Sequence, residues 1–162
     1  MTEIDRLRDQ VGRAFDGDAW CGPSLMAALA GVTAVQAAAR VPGVAHSIGE
    51  IVAHVAGWQG VVARRVAGEP TREPERGDWP AADCADEPAW QAALGHLAES
   101  HRRLLRALDS FDPARLDDRV GDGHDPAMGR GETAYATLHG AAQHALYHAG
   151  QIAILKQLVG AG

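Results

Sequence analysis

Apolar residues recur along most of this chain every three or four positions, the period of a helix with one buried face. Ile4, Leu7, Val11 and Phe15 predict a first helix over residues 3–15, which Gly17 and Asp18 end. Ser24 and Thr33 are placed as N-caps of two short helices, and Val41, Pro42 and Gly43 form a break. Ser47 and Glu50 have the spacing of a capping box, in which the hydroxyl caps the Glu50 amide and the carboxylate reaches back. That box opens a helix from residue 48 to about 67, with Ile51, Val55, Trp58 and Val62 as its apolar stripe and His54 at the stripe's edge. Residues 68–83 are rich in proline, glycine and charge and read as a loop. Asp86 and Pro88 then start the chain's cleanest amphipathic helix, whose seam is Trp90, Leu94, Leu97, His101, Leu104, Leu108 and Phe111.

A second polar connector over residues 112–130 precedes a last helix over residues 132–159. Projected at about 100° per residue, Ala141, Ala145, Ile152, Leu155 and Val159 share one face of it, flanked by His144, His148 and Gln151, with His139 opposite and facing solvent. No stretch alternates with period two for long enough to make a strand. Four amphipathic helices joined by two long connectors predict an all-α fold, a four-helix bundle with short extra helices, as one domain over residues 1–162.

Composition narrows the partners. Apolar residues are 46% of the chain and charged residues 22%, ordinary values for a globular protein. The net charge of -6 and the absence of a basic stripe argue against nucleic acid or an anionic membrane surface. No apolar run reaches membrane-spanning length, and the first residues are too charged for a signal peptide. Cys21 and Cys84 are isolated, so a reduced, cytoplasmic setting with each as a buried free thiol is the expectation.

The chemistry-bearing residues are the histidines. His144 and His148 lie one turn apart on one helix face, about 6 Å along the axis, a spacing at which two imidazoles reach one ion. A pair does not close a site, so a further ligand must come from elsewhere, and His54 lies on a face that can converge with them. Three neutral imidazoles leave the charge of a divalent ion uncompensated and a coordination position open, the pattern of a catalytic zinc site. Nickel also accepts imidazole nitrogen. The open side would take water or a thiol and lower its pKa, and binding should weaken below about pH 6, where free imidazoles protonate.

The plain alternative is a bundle with three hydrogen-bonded core histidines. His101 points inward and reads as core, His46 shapes the turn before Ser47, and His96, His124 and His139 read as surface or loop. Asp122, His124 and Asp125 imitate a metal loop but fit a solvated connector. Gln151 can orient a ligand or a water, with a flank glutamine as the alternative. Glu50 is the other candidate for catalysis, although the capping box already accounts for it. Trp58 fits core filling, and Tyr147 a packing role.

These residues carry a resemblance. His46, Ser47, Ile48, Ile51, His54 and Trp58, followed late by His144, Tyr147, His148, Gly150, Gln151 and Ile152, resemble the DinB/YfiT-like superfamily, and Trp20, Gly22, Pro23, Ser24 and Leu25 resemble its N-terminal region. The resemblance spans nearly the whole chain and implies a four-helix bundle that holds a divalent metal through His54, His144 and His148, often as a homodimer. Members include transferases that use low-molecular-weight thiols such as mycothiol or bacillithiol, and one branch isomerises maleylpyruvate. The expectation is therefore a zinc- or nickel-dependent hydrolase or thiol-dependent transferase acting on a small molecule. The alternative is a non-catalytic metal- or ligand-binding bundle.

Overall fold

The computed structural model describes residues 1–70, 73–120 and 131–160. Asp122, His124 and Asp125 of the connector lie outside them. The elements run α1 (Glu3–Phe15), α2 (Leu25–Leu29), α3 (Ala34–Ala38), α4 (Ile48–Val66), α5 (Glu87–Asp109) and α6 (Ala134–Gly160), with a 3-10 turn at Pro113–Arg115. No strand occurs among the described residues, and one isolated bridge joins Arg119 to Thr133.

The helix starts are set by local chemistry. The Ser47 hydroxyl accepts from the Glu50 amide at 3.3 Å, and the Glu50 carboxylate accepts from the Ser47 amide at 3.0 Å. Thr2 with Asp5 and Thr33 with Gln36 form the same reciprocal pair. Asp86 accepts from the Ala89 amide at 2.8 Å, with proline in the first turn of α5. Caps of this kind are each worth about 1 kcal/mol. Ser24 stands at the start of α2 without a side-chain cap.

Two core clusters fix the topology. One joins Ile48 to Ala56 of α4, Trp90 and Leu97 of α5, Ala149, Ile152 and Leu155 of α6, Phe15, and the apolar side chains of α2 and α3. The other joins Ala63 and Val66 of α4, Leu104 and Leu108 of α5, Ala134 to Ala145 of α6, and Ile4 to Ala14 of α1. The starts of α4 and α5 share one end of the bundle, which they share with the ends of α1 and α6. Thus α4 and α5 run in the same direction, and α1 and α6 run against them.

A parallel pair forces its link to travel the length of the bundle. Helix α4 has 19 residues, about 28 Å at the helical rise. The link from residue 67 to residue 86 has the length to return over that distance. It lies directly on α4 because α4 carries glycine where it passes. A Cβ on Gly49 would sit 2.8 Å from the Cβ of Ala82 and 3.0 Å from Sγ of Cys84, and one on Gly57 would sit 2.9 Å from the Cβ of Pro74. Glycine inside a helix costs about 1 kcal/mol relative to alanine, which this close approach offsets.

The α5 seam is buried as the pattern predicts, apart from a half-buried Leu94. Trp90 is fully enclosed and donates from its indole to the Val32 carbonyl at 2.8 Å. On α4 the stripe is rotated. Val61 is buried in place of Val62, and Trp58 is only half-buried. Two other expectations are corrected. Cys21 is exposed, and only Cys84 is a buried thiol. His139 does not face solvent but is half-buried, with Nε2 enclosed and unpartnered. Its ring lies against that of Tyr135, one turn earlier on α6, with centroids 4.4 Å apart.

Candidate metal centre

Antiparallel packing of α4 against α6 sets His54 opposite the turn that carries His144 and His148, where the two core clusters meet. His54 and His148 are buried, and His144 is half-buried. Nε2 of His144 lies 2.9 Å from Nε2 of His54 and 3.1 Å from Nε2 of His148. All three ligand atoms fall within 4.8 Å of one another.

The outer nitrogens decide what these contacts can be. Nδ1 of His54 faces the Asp78 carbonyl at 2.7 Å, and a carbonyl only accepts, so this nitrogen carries the proton. Nδ1 of His148 faces Oε1 of Gln151 at 2.6 Å and donates likewise. In the neutral rings both Nε2 atoms then present lone pairs to Nε2 of His144. That atom has one proton at most, so at least one of the two close contacts sets lone pair against lone pair. A cation removes the conflict. Ligand nitrogens about 2.0–2.1 Å from a divalent ion are separated by about 2.9–3.4 Å as the angle between them goes from right to tetrahedral, and the two short distances fall in that range. The donor set and its outer partners therefore fit a divalent metal.

Burial keeps the His144 and His148 rings neutral. Desolvation holds the pKa of His144 down to about 4, and the neighbouring His148 and His54 act in the same direction. Desolvation also lowers His148 to about 4, against the opposing effect of its bond to Gln151. The Asp78 carboxylate opposes both shifts through space.

The loop between α4 and α5 contributes more to this centre than its composition suggests. Trp79 stacks on His54 with ring centroids 3.9 Å apart and planes 8° from parallel, and on His46 at 3.6 Å and 4°. Oδ1 of Asp78 accepts from the Trp58 indole at 2.6 Å and lies 3.2 Å from Nδ1 of His54. Neither Asp78 nor Trp79 was expected at the site. Their one sequence signal is an indole inside a polar loop, with nothing to say where the loop lands.

The remaining candidates separate clearly. Glu50 is engaged on both oxygens, by Arg40 on one and by the Ser47 amide on the other, with His46 at 3.7 Å. Gln151 is hydrogen-bonded to the His148 ring. His101 does not join the centre; it is buried and stacks on Phe15 at 3.8 Å. Trp58, expected in the core, binds Asp78 and sets its edge against His54. Tyr147 is 64% exposed, with its ring against His148 at 5.0 Å, and so stands at the rim of the centre rather than in packing.

A groove of about 930 Å³ lies elsewhere, between α4, α5 and the loop, and none of the three histidines lines it. Alanine and glycine make much of its lining. Its arginines at positions 64, 76, 103 and 106 are each paired with a carboxylate. Its walls therefore offer no reactive group comparable with the histidine set.

The family model described as the DinB superfamily matches residues 20–152. A crystal structure of a conserved protein of a locus from Enterococcus faecalis is similar with a TM-score of 0.71 and 17% identity, over 100% of this chain and 99% of that one. At that identity the likeness shows the fold alone. No curated protein matches the chain.

Proposed function

The chain belongs to the DinB superfamily, and from that premise we propose that it is a metal-dependent enzyme whose His54, His144 and His148 hold one divalent ion. The observation that carries this reading is the pair of short Nε2 contacts between rings whose outer nitrogens are already committed. Zinc is the first candidate and nickel the second, since both accept imidazole nitrogen. What such an ion supplies when bound is Lewis acidity, enough to make a water or a thiol nucleophilic near neutral pH.

The residues around it would do the rest. Gln151 and the Asp78 carbonyl keep the protons of His148 and His54 on Nδ1, and burial keeps His144 and His148 neutral. His144 is the least enclosed of the three, so approach from its side, past Tyr147, is the proposed route for a small-molecule substrate. Hydrolysis, or transfer of a low-molecular-weight thiol to an electrophile, is the reaction class this set would serve. The alternative is a metal- or ligand-binding bundle without catalysis.

A homodimer is also proposed, supported by the outer face of α6. Lys156 is the one Asp, Glu, Lys or Arg in its 27 residues, and its amine is turned onto the Ala28 and Ala30 carbonyls. Tyr147, Ile154 and Leu158 remain 64%, 62% and 53% exposed. A helix apolar on all sides is normally covered on all sides.

The test is elemental analysis of the purified protein and of His148→Ala, followed by assays of ester or amide hydrolysis and of thiol addition. The expected result is about one divalent ion per chain in the parent and little in the variant. Equal metal content in both would end the assignment.

A further inference from the structure

The three ligands are not equally well held. His144 and His148 share one helix, so their relative placement is fixed by α6 itself. His54 is alone on α4, and its ring is held by a segment outside the bundle. Its Nδ1 donates to the Asp78 carbonyl at 2.7 Å, and its face lies on Trp79 at 3.9 Å. The Asp78 carboxylate is tied back to α4 through Trp58, one turn beyond His54. Trp79 is steadied by His46, which precedes α4. Asp78 and Trp79 lie between the two places where the crossover rests on α4, Pro74 over Gly57 and Ala82 with Cys84 over Gly49. Ion pairs brace the same segment, Arg64 with Glu75 at 3.1 Å and Arg76 with Asp83 at 2.6 Å.

We propose that Asp78 and Trp79 are positioning residues of the metal centre, and that seating of the α4–α5 crossover on α4 is coupled to binding of a divalent cation by His54, His144 and His148. The inference rests on the metal-binding reading above. Asp78 has two parts in it. Its carbonyl fixes which nitrogen of His54 carries the proton, and its carboxylate lies 3.2 Å from that nitrogen. Trp79 holds the ring plane. Coupling of this kind is reciprocal, so a crossover that seats His54 must itself be tightened by the cation.

The test uses the full chain stripped of metal and titrated with Co2+ and with Zn2+ against a chromophoric chelator. It compares the parent with Asp78→Asn, Asp78→Ala, Trp79→Ala and Gly57→Ala. Outer partners of metal-bound histidines are typically worth about 10–100-fold in affinity. Asp78→Ala and Trp79→Ala are expected near the lower end of that range, because the Asp78 carbonyl survives both. Asp78→Asn keeps an acceptor for Trp58 and removes only the charge, so a smaller loss that grows at low salt is expected.

Gly57→Ala touches no ligand and improves helix propensity, yet it pushes on Pro74, so it should weaken the metal without lowering stability. The visible absorption of the Co2+ complex should change in the Asp78 and Trp79 variants, a signature that altered packing elsewhere would not produce. In the parent, Co2+ or Zn2+ should slow hydrogen exchange across residues 74–84. Parent-like affinity and spectrum in all four variants, with circular dichroism showing them folded, would overturn the proposal, as would exchange in residues 74–84 that ignores the cation. A parent chain that binds neither ion removes the metal reading and this inference together, which tells the two failures apart.

Discussion

Replacing Gln151 should change metal affinity in opposite directions according to the residue installed. His148 is buried, and its Nδ1–H donates to Oε1 of Gln151 at 2.6 Å. In Gln151→Leu that acceptor is gone. Without metal the ring escapes at little cost, because its proton can move to Nε2 and point at His144. Metal binding removes that escape, since Nε2 must offer its lone pair and the proton must return to Nδ1, now facing a leucine. An unpaired buried donor costs about 1–3 kcal/mol. At about 1.4 kcal/mol per decade, affinity should fall by roughly 5- to 150-fold. The melting temperature of the metal-free protein should barely move. In Gln151→Glu an ionised acceptor strengthens the same bond and raises ligand basicity, so affinity should rise instead. Competition titration with Zn2+ gives the dissociation constants, and calorimetry of the metal-free chains gives the stabilities. Equal affinity in Gln151→Leu and Gln151→Glu would refute the reasoning. A fall in the stability of Gln151→Leu with unchanged affinity would also refute it, since the penalty would then lie in folding.

Three further outcomes follow from burial. His101 is 4% exposed, stacked on Phe15, and held by desolvation at a pKa of about 4, below the unfolded value of about 6.5. The unfolded chain therefore takes up a proton first, and stability should fall by on the order of 2 kcal/mol as pH drops from about 6.5 to about 4, then level off; urea titrations should show the trend reduced in His101→Phe. Because His144 and His148 are lowered to about 4 by the same cause, proton competition for the metal should set in nearer pH 5 than the pH 6 expected of free imidazoles, and a chelator titration from pH 7 to 4.5 checks it. Ile154→Asp should convert a dimer to a monomer by light scattering without loss of helix, and a parent chain already monomeric at about 100 µM would remove the dimer proposal.

Most of the bundle was readable because its signals are local. Ser47 with Glu50 and Asp86 with Pro88 mark helix starts within three residues of themselves, and the α5 seam repeats over six turns. The histidines of α6 were readable for the same reason, since i and i+4 meet on any helix. His54 needed a tertiary assumption, that α4 would face α6, and the family likeness supplied it. The rest failed where meaning depends on neighbours. His139 falls on the outer side of a helical projection, and only the placement of the Tyr135 ring against it, at 4.4 Å, accounts for its cover. Trp58 has the right period for a core residue, and only the arrival of Asp78 gives its indole a partner. Cys21 and Cys84 look alike as isolated thiols, and what separates them is that the crossover lays Cys84 against Gly49.

That failure has a topological cause. Two ligands one turn apart need only a helix, and the third needs only an antiparallel neighbour, both of which short-range pattern can encode. The parallel run of α4 and α5 adds a requirement that no pattern announces, a link that must come back past the face where His54 stands. Once present, the link is available to hold that ring, and it does so with a backbone carbonyl, which any residue type can supply, and a stacked indole. Control of the His54 ring thus falls to a segment outside the bundle core. Changes in residues 74–84 would alter how firmly His54 is held while Ile51, Val55 and Ile152 keep their packing, so affinity for a cation can vary in this fold without a matching change in stability.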